Sequence, residues 1–252
     1  MSNMVENAVI LAAGRGSRLL DYSKDFPKPM TTINNRSIIN NLIHNLDNFN
    51  VKTIVVITGY MYNVLEDHII EYKNRNNLNC EIVFIRNLIY DKTNNIYSLW
   101  LAKDYLKKGF YLFEADIFCD QKVLERLTDS QDENIAVVGK FLDSMNGTIV
   151  EHKDNYEIEK MVLKKDQIDN FDYSKAYKTV NFYKIGESFS KNYFLESLEK
   201  EITTENTSSY YELIIKRAIE EGITINSLVL NQEKWWEIDT PEDLSYAKDL
   251  FS

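Results

Sequence analysis

The chain has 252 residues, a formal net charge of −10, 44% hydrophobic and 27% charged residues, and only 3 prolines and 8 glycines. That composition excludes disordered, fibrous and low-complexity classes, and the acidic balance argues against a nucleic-acid binder that neutralises phosphates over a broad surface. Cys80 and Cys119 are far apart and outside any CxxC or Cys/His cluster, so both read as reduced core residues. No basic leader opens the sequence and no apolar run reaches about 18 residues, so the expectation is a cytoplasmic protein without a membrane span.

Ala8 to Ala12 is a short continuous apolar run that stops in a glycine-containing loop, the pattern of a strand buried on both faces of a parallel sheet. Residues 37–46 carry apolar side chains at helical spacing, and Thr53 to Thr58 reads as a β-branched strand ending at Gly59. A helix is predicted over 61–73, a strand over 80–85, a helix over 96–106 and a strand over 109–116. Strands alternating with helices imply parallel βαβ units. From about residue 135, short strands follow with few helical spacers, at 135–138, 147–150, 158–163 and 179–185. Helices return at 188–200 and 210–221, a strand is expected at 223–230, and Pro241 opens a last helix after Thr240 as N-cap. The expected fold is α/β and Rossmann-like, with a mixed, mostly parallel central sheet flanked by helices.

The strongest chemical signal is Leu11-Ala12-Ala13-Gly14-Arg15-Gly16-Ser17-Arg18-Leu19, which follows the first buried strand. Small residues let backbone N–H groups approach a polyanion, glycines permit the turn, and arginines offer forked, permanently charged donors to phosphate oxygens. Nearby, Pro27-Lys28-Pro29 fixes the backbone on both sides of a lysine and so aims its ammonium at one point. A dinucleotide-binding GxGxxG needs a third glycine and an acidic residue about twenty positions on, whereas Arg18-Leu19 follows the second glycine here, which disfavours a dehydrogenase. Asp116 stands at the end of a strand where open parallel sheets bind ligands, with Glu114 two residues earlier on the same face if the strand is regular. Asp239, in Trp235-Trp236-Glu237-Ile238-Asp239-Thr240, comes just before the last helix and shares a strand face with Glu237. Hard carboxylate oxygens of this kind suit Mg²⁺, with Asp120 and Glu237 as alternative ligands. His44, His68 and His152 are isolated and read as structural or surface residues.

With these residues in place, the chain resembles the nucleotidyltransferases that carry an LxxGxGSR…PKP signature and activate sugar-1-phosphates or small phosphorylated alcohols. Nearly the whole chain takes part. Asn94-Asn95-Ile96-Tyr97-Ser98-Leu99-Trp100, Lys178 to Lys184, Ser209-Tyr210-Tyr211-Glu212-Leu213 and Trp236-Glu237-Ile238-Asp239 resemble the cytidylyltransferase branch, which includes phosphocholine, 2-aminoethylphosphonate and phosphoglutamine cytidylyltransferases. The resemblance implies a nucleotide-diphospho-sugar transferase-like fold in one domain over 1–252, with a nucleotide-binding half (1–130) and an acceptor-binding half (131–252). It implies that Leu11, Ala12, Ala13, Gly14, Arg15, Gly16, Ser17 and Arg18 wrap a nucleoside triphosphate, that Lys28 contacts phosphates at the reacting centre, and that Asp116 and Asp239 hold Mg²⁺.

The activity so implied is transfer of CMP from CTP to a small phosphorylated or phosphonate acceptor, with release of pyrophosphate, for decoration of a surface polysaccharide or lipid. Lys28, Arg18 and Asp116 then form the catalytic set, and Arg15 faces the departing pyrophosphate. Asn95, Ser98 and Glu114 complete the nucleotide site, with helix capping as the alternative role of the first two. Lys178, Asn181, Tyr210, Tyr211, Glu212 and Trp236 are the acceptor-side candidates. Tyr97, Trp100 and Trp235 extend an aromatic wall for a cationic head group, with core packing as the alternative. A sugar-1-phosphate nucleotidyltransferase using UTP or another triphosphate shares the same loop, lysine and aspartates. A homodimer stays open.

Overall fold

The computed structural model describes residues 5–19, 25–142, 144–168 and 171–252. In chain order, β1 (Asn7–Ala12) runs into the glycine loop, and a hairpin of β2 (Thr32–Ile33) and β3 (Arg36–Ser37) leads into α1 (Ile38–Asn48). Next come β4 (Thr53–Thr58), α2 (Tyr62–Asn76), β5 (Glu81–Arg86), α3 (Asn95–Leu101), α4 (Lys103–Leu106), β6 (Phe110–Glu114), β7 (Ile117–Cys119) and α5 (Gln121–Asp129). The second half carries β8 (Ile135–Lys140), β9 (Ile149–His152), β10 (Ile158–Val162) and the long β11 (Tyr177–Ile185). There α6 (Glu187–Phe189) passes through a π turn (Ser190–Phe194) into α7 (Leu195–Thr203), followed by α8 (Glu212–Glu220), β12 (Asn226–Leu230), β13 (Trp235–Glu237) and α9 (Pro241–Leu250).

Among the described residues the main sheet has nine strands, on the path β10-β9-β11-β6-β1-β4-β5, with β8 joined to β11 and β12. β1 pairs in parallel with β4 and β6, β4 with β5, and β8 with β12, whereas β11 is antiparallel to β6, β8 and β9. Following these pairings, only β10 and β11 run against the other described strands of the sheet, so the expected mixed, mostly parallel α/β architecture is the one adopted. Helices α1, α2 and α5 cover one face through Leu42, Leu65 and Val123, and α3, α7 and α8 cover the other through Leu99, Leu198 and Ile215. Along β1, Ala8, Ile10 and Ala12 join the first core and Val9 the second. A strand covered on both sides gains nothing from alternating apolar with polar residues, which is why it reads as one apolar run.

A third, smaller core of Leu19, Ile33, Ile38, Phe118, Ile238, Leu244 and Ala247 ties the β2–β3 hairpin, β7 and α9 together. Two caps fix the helices of this region: Ser37 accepts from the Asn40 amide at the start of α1, and Thr240 and Asp243 form a reciprocal capping box at the start of α9.

Several boundaries differ from the sequence pattern. The strand expected over 109–116 stops at Glu114, because Ala115 and Asp116 turn the chain into β7, which pairs with β13 instead of the main sheet. The helix expected over 96–106 is two helices that meet at Ala102, where α3 closes. The strand expected from 147 begins at Ile149, since Gly147 has a φ of +121°. Pairs as short as β2–β3 and β7–β13 have no period long enough to read from sequence. Cys80 and Cys119 are buried and free, and burial pushes the Cys80 thiol up to about 12. Among the described residues no helix is long and apolar enough to cross a membrane.

Candidate active site

Beyond Ala12 the chain turns over the C-terminal edge of the sheet. The Gly16 backbone has a φ of +65°, and a Cβ there would sit 2.7 Å from the Cβ of Lys28. A glycine therefore lets the loop lie directly on the aliphatic stem of that lysine in a left-handed conformation. Lys28 itself opens a short 3-10 turn between Pro27 and Pro29 and is 7% exposed. Its ammonium donates to Asp116 Oδ2 at 3.0 Å and to Asp239 Oδ1 at 2.7 Å. Burial is the largest single influence and disfavours the charged form, but the two aspartates together outweigh it and Lys28 holds its proton well above the usual lysine range.

The small β7–β13 pair explains why these distant aspartates meet. Ile117 lies opposite Glu237 in that pair, and the Ile238 amide donates to the Asp116 carbonyl at 2.9 Å. The α9 cap then holds Asp239, whose amide donates to Asp243 Oδ2 at 3.2 Å. As a result, carboxylate oxygens of Asp116, Glu237 and Asp239 lie within 4.8 Å of one another. Asp116 Oδ1 is buried with no hydrogen-bond partner. Three hard carboxylates with one buried acceptor left open fit a divalent cation such as Mg²⁺. Asp120 is outside this cluster, because it precedes α5 and accepts from the Lys234 amide at 3.1 Å. The chain supplies its own counter-charges, with Arg18 on Asp239 at 2.9 Å and Lys178 on Glu237 at 3.2 Å besides Lys28.

A cleft of about 350 Å³ passes over the loop and is lined by Leu11, Ala12, Ala13, Gly14, Gly16, Ser17, Arg18 and Lys28, with Asn95, Ser98, Glu114, Asp116 and Asp239 across from them. Arg15 does not line it; its guanidinium lies over the Tyr60 ring, 5.6 Å from the centroid. An adjoining cavity of about 390 Å³ shares Arg18, Asn95, Glu114, Asp116 and Asp239, and adds Lys164, Lys165, Lys178, Asn181 and Glu212, with Tyr210 at its mouth. A further lobe of about 430 Å³ contains Met145, Trp235 and Trp236. Trp236 donates its indole N–H to Asp243 at 3.1 Å and packs 4.3 Å from the Tyr246 ring. The histidines line none of these cavities.

Behind the second cavity lies a buried polar network. Glu114 accepts from the Tyr211 hydroxyl at 3.0 Å, from Asn95 Nδ2 at 3.3 Å and from Asn181 Nδ2 at 3.5 Å. Burial pushes its carboxyl well above the usual range, and Asp116, Glu212 and Glu237 push it further. Tyr211 has no exposed surface, so it supports Glu114 and does not form the cavity wall expected of it. Asn95 also accepts from the Tyr211 amide at 3.0 Å, which commits its side chain to the protein, and Ser98 accepts from Asn87 Nδ2 at 3.0 Å. The helix cap at this point is Asn94.

Asn181 reaches Glu114 because β11 carries a bulge: its register with β8 shifts between Thr179 and Tyr183, and Asn181 has a φ of +59°. A bulge re-aims a side chain, and asparagine tolerates the left-handed conformation. Glu212 is 7% exposed, burial raises its pKa, and its Oε2 has no partner. The expected aromatic wall is smaller than the sequence suggested. Tyr97 and Trp100 pack on each other at 5.6 Å, and Trp100 donates to Glu199 of α7. Lys164 and Lys165 were not singled out from sequence, where a basic pair just after a strand looks like any solvated turn.

A loop of small residues and an arginine, a proline-flanked lysine and a carboxylate cluster thus meet at the C-terminal edge of the sheet of this α/β protein. The chain belongs to the nucleotidyl transferase family, whose profile matches residues 7–250. It is 28% identical over 246 residues to the CMP-5'-(3-aminopropyl)phosphonate synthase of Streptomyces rubellomurinus, covering 97% of this chain and 38% of that protein. It is 36% identical over 140 residues to the CTP:phosphoglutamine cytidylyltransferase of Campylobacter jejuni, covering 53% of each. The matches thus span about half or less of these relatives' own lengths. Among solved structures, the CTP:phosphocholine cytidylyltransferase of Streptococcus pneumoniae superposes with a TM-score of 0.77 at 20% identity, over 98% of this chain and 99% of that one, a likeness of fold.

Proposed function

We propose that this protein is a Mg²⁺-dependent cytidylyltransferase that moves CMP from CTP to a small phosphorylated or phosphonate acceptor bearing an amine, releasing pyrophosphate. The observation that carries this reading is the convergence of Gly14, Gly16, Lys28, Asp116 and Asp239 on one cleft, with Glu237 completing the carboxylate cluster from an adjoining cavity of mixed charge. Similarity to the two CTP- and CMP-named relatives supports the choice of nucleotide. The acceptor-side cavity places Lys164, Lys165 and Lys178 together with Glu212, whose Oε2 is still open. That pairing suits a zwitterion: the lysines match the phosphate or phosphonate, and the carboxylate matches the amine. The product is an activated head group for a transferase that decorates a surface polysaccharide or lipid.

In the reaction, an oxygen of the acceptor's phosphate or phosphonate attacks the α-phosphorus of CTP in line. A new P–O bond forms as the bond to the bridging oxygen breaks, and the electron pair leaves on pyrophosphate. No side chain has to act as a nucleophile. Asp116, Asp239 and Glu237 would hold the cation, which supplies neutralisation of phosphate charge. Arg18 and Lys28 donate to the oxygens on which charge accumulates, and the small residues of the loop let main-chain N–H groups do the same. Arg15, which packs over the Tyr60 ring outside the cleft wall, would have to leave that ring to meet the pyrophosphate end.

The test is a pyrophosphate-release assay with Mg²⁺, crossing CTP, UTP, ATP and GTP with phosphocholine, 2-aminoethylphosphonate, phosphoethanolamine, phosphorylated glutamine and common sugar-1-phosphates. Release with CTP and an amine-bearing acceptor is expected. Release only with a sugar-1-phosphate would overturn the acceptor class, and no release with any pair would overturn the activity.

A further inference from the structure

The carboxylate cluster is already occupied by positive charge from its own chain. Asp116, Glu237 and Asp239 face Lys28, Arg18 and Lys178 at 2.7–3.2 Å, three cations for three carboxylates, with Lys28 shared by Asp116 and Asp239. Lys28 is the central member, because its ammonium bonds Asp116 Oδ2 and Asp239 Oδ1 at once. A divalent cation held by those two aspartates would sit beside that ammonium even if it took the open Asp116 Oδ1, and two positive charges so close together in a mostly buried site repel each other strongly. The lysine also cannot swing out into water at will. It is 7% exposed, flanked by Pro27 and Pro29, and the loop at Gly16 rests on its stem.

We propose that Lys28 is a built-in competitor for the divalent cation, holding Asp116 and Asp239 in the free protein and yielding them only when a triphosphate arrives to receive its ammonium. The inference rests on the nucleotide and cation site proposed above and says in which order that site assembles. A cation arriving alone meets a cluster whose charge is already balanced, and it must leave a mostly buried ammonium without a partner, which is costly. A triphosphate removes that obstacle, since Lys28 and Arg18 line the same cleft and both gain phosphate oxygens in exchange for carboxylates. Cation and nucleotide therefore bind with positive coupling, and the coupling runs through one side chain. Gly16 links the exchange to the loop, because the residue that turns over the phosphates also rests on the lysine that has to move.

The experiment is a Mn²⁺ titration followed by electron paramagnetic resonance, with and without α,β-methylene CTP, on the wild-type protein and on Lys28→Met and Lys28→Gln. Wild type is expected to bind Mn²⁺ weakly alone and at least tenfold more tightly with the analogue than the analogue binds Mn²⁺ in solution. Both variants are expected to bind Mn²⁺ alone at least tenfold more tightly than wild type and to lose most of the coupling. Two variants of different shape, each checked by circular dichroism, keep a folding defect in one from deciding the result. Equal Mn²⁺ affinity of wild type and variants without nucleotide would overturn the competition. If Mn²⁺ then still binds in the presence of the analogue, the cation site stands and only the competition fails; if it binds under no condition, the site reading fails as well.

Discussion

Glu114 and Asp116 are two residues apart, yet the turn at Ala115 sends them into different surroundings. Asp116 faces a cluster in which every carboxylate is met by a lysine or arginine, while Glu114 is held by a phenol and two amides, and burial raises its carboxyl well above the usual range. The same contrast separates the two ends of the cleft. At the phosphate end, position is set by the main chain: prolines beside Lys28, a left-handed Gly16, and the cap before α9. At the acceptor end, it is set by side-chain hydrogen bonds among residues from β6, α3, β11 and the start of α8. On the function proposed above, chemistry common to all triphosphates would rest on a stiff backbone, and the part suited to one acceptor on side chains that can be exchanged without refolding the sheet.

The largest expected effect lies at the phosphate end. Asp116→Asn should lower kcat by about 10²–10³-fold, the loss typical when a charge-stabilising group is removed from a reacting centre. Steady-state pyrophosphate release measures it, and retention of more than a tenth of wild-type turnover would place the cation elsewhere. Gly16→Ala comes next. It forces a Cβ to 2.7 Å from Lys28 in a left-handed backbone, a conformation that costs about 1–2 kcal/mol for a residue with a side chain. The KM for CTP should rise about tenfold, as 1.4 kcal/mol per decade implies, while the KM for the acceptor stays unchanged. A parallel rise in both would show that the two ends are not separately built. At the acceptor end, Glu212→Gln should raise the KM of amine-bearing acceptors by about 5–10-fold, since a hydrogen bond to a charged group is worth about 1.5–3 kcal/mol and the amide keeps part of it. The KM for CTP should not move.

The same division decides what could be read from the sequence. Gly14, Gly16, Arg18 and Lys28 were legible as cleft residues because a glycine loop and a proline-clamped lysine are contiguous, and backbone requirements leave their mark in residue type. Asp239 was legible through its neighbour Thr240, a visible N-cap. Asp116 was found although its expected strand ended early, because the turn begins only one residue before it. Asn181 was named, but its bulge was not, since a register shift depends on which strands flank β11 and no local pattern encodes that. Tyr210 and Tyr211 are indistinguishable as letters, yet one is half exposed at the cavity mouth and the other lies in the core under Glu114. The difference comes from the start of α8, where the helix turns one ring outward and the next inward.

That buried tyrosine gives the smallest and most selective test. Tyr211→Phe removes the O–H that donates to Glu114 at 3.0 Å and leaves Asn95 and Asn181 as its donors. Loss of one donor to a buried acceptor costs about 1–3 kcal/mol, and a chain of this size loses about 2–4 °C in Tm for each kcal/mol. The acceptor KM should change less than threefold, because Tyr211 does not reach the cavity. The pH dependence separates this role from simple packing. The Glu114 carboxyl is raised above its ordinary value of 4.5, so the folded protein keeps that proton where the unfolded chain has lost it, and stability falls as pH rises through the window above 4.5. The Tyr211 hydroxyl favours the ionised form, so removing it raises the folded value further and steepens that fall. The Tm penalty of Tyr211→Phe should therefore be smaller at pH 5 than at pH 8. An equal penalty at both would reduce Tyr211 to a packing residue, and a change confined to the acceptor KM would return it to the cavity wall.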